Sequence, residues 1–158
     1  MPSSPRGRAE SKETRRPAPA AIACWIALFT ACRESPPAPA PPPRTAAEQI
    51  QRGARLFAAN CAKCHGDSAE DSEDGPPLVG PGALPLDAPP NQKRTAKFHT
   101  ALDVALFTTN KMPPTPAARA KLTSDDSWSI LAFVLDANDI ELSEPVGPGH
   151  AASIVLHP

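Results

Sequence analysis

The placement of proline constrains this chain more than any other feature. Of its 22 prolines, most gather in four stretches, residues 2–19, 36–43, 76–90 and 113–116. Proline fixes its own φ, lacks the N–H that a helix or ladder requires and clashes with the preceding turn, so such density excludes regular structure. Three windows stay open to helix. The first, from about Ala46 to Asn60, sets Ile50, Ala54, Phe57 and Ala58 on one face. The second, from about Thr100 to Thr108, does the same with Leu102, Ala105 and Leu106. The third starts after Thr123 or Ser124, either a good N-cap, with Asp125 and Asp126 suited to the positive end of the helix dipole. It carries Trp128, Leu131, Phe133, Val134 and Leu135 to about Ala137. No run alternates as a strand does, so the fold class is expected to be all-α. One domain over 45–140 follows, with 141–158 (His150 and His157 included) expected to be a flexible tail.

A domain this small buries limited apolar surface. After residue 44 its aromatic residues are Phe57, Phe98, Phe107, Phe133 and Trp128. An apolar cofactor at the centre would complete such a core. From Cys32 onward there are 11 Lys/Arg against 15 Asp/Glu. That acidic balance argues against nucleic acid as a partner.

The N-terminus reads as an address. Arg6, Arg8, Lys12, Arg15 and Arg16 precede an apolar run from Ala18 to Ala31, the pattern of a secretory signal over 1–31. The run is shorter than the roughly 20 residues that span a bilayer. It ends in Phe29-Thr30-Ala31-Cys32, which resembles a bacterial lipobox, making Cys32 a candidate for lipidation. Plain cleavage near Ala31, leaving a soluble periplasmic protein, and a retained anchor are the alternatives. Residues 32–44 are expected to form a semi-rigid, proline-rich tether. The expected location is the periplasmic side of a bacterial membrane.

Residues 61–65 read Cys-Ala-Lys-Cys-His, the pattern of c-type haem attachment. Two thiols three positions apart lie on one side of a helical turn and suit the two vinyl groups of one porphyrin. The histidine that follows reaches the iron as proximal ligand. A thioredoxin-like pair would need a βαβ context, which is not visible. A structural zinc site would need a second ligand pair, which His99, His150 and His157 do not form. A bare disulfide would leave His65 unexplained. For the sixth position the candidates are Met112, in the stiff loop Lys111-Met112-Pro113-Pro114, and His99. Met112 is favoured, because a lone methionine amid Lys, Pro and Thr has little core to fill.

Gly53, Phe57, Cys61-Ala-Lys-Cys64-His65, Gly75-Pro76-Pro77-Leu78, Met112-Pro113 and the Trp128 helix occur in the order of a class I cytochrome c, and the chain resembles that family over about residues 45–140. The resemblance implies a small helical fold around one covalent haem c, with the first and last helices crossing closely at Gly53. It implies that Phe57 packs near Trp128 or Leu131, and that the Pro76 carbonyl, with Pro77 as the other candidate, accepts a hydrogen bond from the second nitrogen of His65.

The implied function is single-electron transfer between redox proteins, a donor and an acceptor, by a monomer that is not itself an enzyme. A tethered haem subunit of a membrane-bound oxidoreductase is the alternative, followed by a sensor or enzyme with an open iron face. Lys63 and Lys111 flank the expected ligands and suit local steering of a partner. Asp67, Glu70, Asp71, Glu73 and Asp74 form an acidic stretch expected to be a solvated loop in preference to a calcium site.

Overall fold

A computed structural model describes residues 41–70, 74–90, 92 and 94–157. The expected signal segment, Cys32, most of the tether, and Asp71 and Glu73 lie outside the described residues. Six helices occur among the described residues: α1 (Ala46–Asn60), α2 (Ala62–His65), α3 (Ala101–Lys111), α4 (Pro116–Arg119), α5 (Ser124–Asp136) and α6 (Pro148–Ser153). The sole β pairing among them is an isolated antiparallel bridge, Thr100 with Val155. The fold is all-α.

The three long helices begin alike. Thr45, Thr100 and Thr123 each accept the N–H three residues on, while Glu48, Asp103 and Asp126 reach back to the cap's own N–H. Each reciprocal box satisfies two donors that the first turn leaves unpaired. Helix α3 runs one turn beyond its expected end and stops at Met112, whose φ of −118° and ψ of 140° are extended. A residue before proline disfavours the helical region, and Pro113 follows. Pro116, in a stretch expected to be irregular, opens the one-turn α4, where its missing N–H is not required.

Helices α1 and α5 make the closest packing. A Cβ placed on Gly53 would lie 1.8 Å from the Ser129 carbonyl oxygen and 2.9 Å from the Phe133 Cβ. One turn on, the Phe57 ring meets Phe133 of α5, with centroids 5.2 Å apart, in the same core cluster as Leu131. The buried residues of α1 are Ala46, Gln49, Gly53 and Phe57, so its inward face is turned by one position from the expected one and Ala58 is exposed. On α3 the buried set is Ala101, Val104 and Ala105, and Leu106 remains 55% exposed.

The expected flexible tail is instead part of the domain. Gln49 donates from Nε2 to the Val146 carbonyl at 2.9 Å and accepts the Val146 N–H at 2.6 Å. Val146 and Ala151 are buried. Beyond α6 the Ala101 N–H donates to the Ile154 carbonyl (3.0 Å) and the Leu156 N–H to that of His99 (2.8 Å). His157 Nε2 lies 2.8 Å from the Leu84 carbonyl. These contacts are long-range pairings of single residues, which leave no periodic signature in residues 141–158.

Candidate functional site

The Cys-Ala-Lys-Cys-His residues form a tight turn directly after α1. Cys61 closes α1 by donating its N–H to Phe57 (2.8 Å) and starts α2, where the His65 N–H returns to the Cys61 carbonyl at 3.0 Å. Both cysteines are half-buried and His65 is buried. Burial pushes the Cys61 thiol up to about 11, and the neighbouring Cys64 adds to the rise. A redox-active pair of the thioredoxin kind needs a lowered thiol pKa, so this environment opposes that alternative.

Gly66, with φ of +81°, ends the turn and lets the chain reverse. The Ala69 carbonyl accepts the N–H groups of both Leu78 (2.8 Å) and Val79 (3.1 Å). Gly75 then passes so close to the turn that a Cβ there would stand 2.3 Å from the Cys64 carbonyl oxygen and 3.0 Å from His65 Nδ1. Pro76 follows, and His65 Nδ1 lies 2.9 Å from its carbonyl oxygen. A carbonyl only accepts, so Nδ1 carries the proton and Nε2 keeps the lone pair that a metal requires.

Met112 caps α3 and is half-buried; its N–H donates to Thr108 at 2.8 Å. The Met112–Pro113 peptide is cis. His99 is exposed, with its carbonyl engaged by Leu156. Lys63 and Lys111 are exposed. Two thiols on one helical turn, an imidazole with Nε2 available and a thioether in a fixed loop are the donor set that haem c takes. Among the described residues no group of three or more His, Cys, Asp or Glu stands ready to hold a bare metal ion.

Three residues that sequence reasoning did not single out organise this region. Asn138 donates to the Leu78 and Val134 carbonyls, each at 2.8 Å, and accepts the Gly80 N–H at 3.2 Å, tying the end of α5 to the segment after Pro76. Arg94 donates to the carbonyls of Pro85 (2.6 Å), Leu86 (3.2 Å) and Ala96, and its guanidinium lies 3.7 Å from the Phe98 ring centre. Arg119 reaches the carbonyls around Met112. A polar side chain just past a helix end, or alone in a proline-rich loop, was the one available signal.

A family model described as Cytochrome c matches residues 50–138. Among solved structures the chain is similar to the sulfane dehydrogenase SoxCD from Paracoccus pantotrophus, at 31% identity and a TM-score of 0.49. That match covers 68% of this chain and 52% of the other, so the chain spans about half the length of that protein. No curated protein matches the chain.

Proposed function

We propose that this chain, which belongs to the cytochrome c family and so carries covalently attached haem c, passes single electrons between two redox proteins through one closed, six-coordinate iron. When bound, the haem supplies one-electron exchange between ferric and ferrous iron at a potential raised by His/Met ligation. Cys61 and Cys64 would hold the porphyrin edge, His65 would give Nε2 to the iron and Met112 its thioether. The Pro76 carbonyl would keep the His65 proton on Nδ1 and fix the ring plane. On this reading none of these residues has to move a proton or attack a substrate. Lys63 and Lys111, exposed beside the ligands, would steer an acidic patch on the partner.

The observation that carries this reading is the 2.9 Å contact between His65 Nδ1 and the Pro76 carbonyl inside the Cys-Ala-Lys-Cys-His turn. Carbon monoxide tests it. Reduced holoprotein is expected not to bind the gas rapidly, because a sixth ligand occupies the iron; rapid binding would point to an open-site sensor or enzyme.

The proposed setting is the periplasmic side of a bacterial membrane, with the monomer tethered through a lipid on Cys32. The basic opening, the apolar run to Ala31 and the Phe29-Thr30-Ala31-Cys32 sequence support it. Labelling cells with a fatty-acid probe checks the tether, and an unlabelled mature protein would exclude it. Recovery of the protein in a stable membrane complex would favour a dedicated oxidoreductase subunit over a diffusing or tethered carrier.

A further inference from the structure

The expected ligand Met112 sits in a stretch whose prolines supply no N–H to anchor it. Among the described residues no backbone N–H is bonded to the carbonyl of Pro113 or Pro114. Both carbonyls are taken by one side chain: Arg119 donates from Nη1 to Pro113 at 2.8 Å and to Pro114 at 3.0 Å, with a longer reach of 3.5 Å to Lys111. The three carbonyls lie on either side of Met112.

The local sequence is built to deliver this guanidinium. Thr115 caps α4, its hydroxyl accepting the Ala118 N–H at 3.3 Å, and Pro116 stands at the first helical position. One turn brings Arg119 back over residues 111–114. Arg119 is half-buried and forms no ion pair among the described residues. From the other side, the Met112 N–H is tied to Thr108.

We propose that Arg119 is a positioning residue for the Met112 thioether, clasping the backbone before and after it so that the sulfur stays on the iron and outside ligands are kept off. The proposal rests on the reading of Met112 as the sixth ligand. All three contacts come from one nitrogen, Nη1, whose direction the rigid guanidinium plane fixes, whereas lysine offers a point charge on a flexible stem. A fixed Met112 competes with any ligand in solution, and each hydrogen bond lost from the loop shifts that competition toward the outside ligand.

The test is an imidazole titration of the ferric holoprotein, following the weak far-red sulfur-to-iron absorption. Arg119→Ala is expected to bind imidazole at least about tenfold more tightly than the wild type. Arg119→Lys, which keeps the charge but loses the rigid guanidinium that aims Nη1, is expected to fall between the two. If the folded variants, either one alone sufficing, bind imidazole within about twofold of the wild type, Arg119 does not hold the loop and the proposal is overturned. Met112→Ala separates this outcome from failure of its premise. Loss of the far-red band in that variant upholds Met112 as ligand; its survival removes the ligand reading and the role of Arg119 together.

Discussion

The carbonyl oxygen of Ser129 occupies the place where a side chain on Gly53 would begin, 1.8 Å from an ideal Cβ. Helices α1 and α5 therefore meet backbone to backbone, and no side-chain rotamer can relieve an added methyl group. Gly53→Ala is expected to destabilise the domain by about 3 kcal/mol or more, the upper range of overpacking. A denaturant midpoint unchanged from the wild type would show that the helices can separate at little cost.

Gly75 carries a similar restriction beside the site, where a Cβ would crowd the Cys64 carbonyl oxygen and His65 Nδ1. Gly75→Ala is expected to displace the Pro76 carbonyl from His65 and so alter how the ring binds iron. A shift of a few tens of millivolts in reduction potential is expected, since about 59 mV corresponds to tenfold for one electron. Redox titration of the holoprotein checks it, and an unchanged potential would separate Gly75 from the histidine.

Gln49 and Val146 exchange two hydrogen bonds across the buried junction of α1 with the C-terminal segment. Gln49→Leu leaves both backbone groups of Val146 without partners and is expected to remove about 2–3 kcal/mol of stability. The amide of Val146 should lose protection in hydrogen exchange, and residues 147–157 should become open to protease. A chain ended at residue 140 should melt at lower temperature than the full domain, because Val146 and Ala151 are buried. Equal melting would show that these contacts are dispensable.

Asp126 makes stability depend on acid. Burial raises its carboxyl, but the hydrogen bond from Arg52 at 2.7 Å and those from the Thr123 cap hold it below the ordinary carboxylate range. A carboxyl with a depressed folded pKa binds fewer protons folded than unfolded. Its contribution is therefore complete above the unfolded value of about 4 and is lost as pH falls through the lower folded value. The Asp103 carboxyl, held down first by the Thr100 backbone N–H, acts in the same direction. Asp126→Asn should flatten the acid limb of a stability-against-pH curve and reduce stability at pH 7 by about 2–3 kcal/mol. An acid limb identical to the wild type would assign acid sensitivity to other groups.

Helix α1 shows how far the sequence reaches and where it stops. Its period places it from about Ala46 to Asn60, the bounds that the helix has. Its hydrophobic period points the inward face one position off, because two of its buried residues, Gln49 and Gly53, are not hydrophobic; only the family resemblance marks Gly53 as the crossing point. Gln49 is buried because Val146 satisfies its amide, and Gly53 because Ser129 leaves no room for anything larger. Both reasons lie across the fold. The same division separates α3, whose buried set is shifted so that Leu106 faces solvent, from the haem-binding turn, whose chemistry is local.

By itself the sequence determined what depends on neighbours along the chain: the all-α class read from helical periods between the proline-rich stretches, the capped start of the last long helix, and the Cys61-Ala-Lys-Cys64-His65 turn that takes haem c. Tertiary structure decided between Pro76, which the family resemblance had named, and Pro77 as the carbonyl that meets His65; it alone decided that Arg119 lies on the carbonyls around Met112, and that the last residues belong to the domain. Those choices rest on individual polar contacts to backbone carbonyls outside any helical repeat. Such contacts leave no period or composition to read, so apart from the Pro76 carbonyl, which came from the resemblance, they become legible only when the chain has brought their partners together.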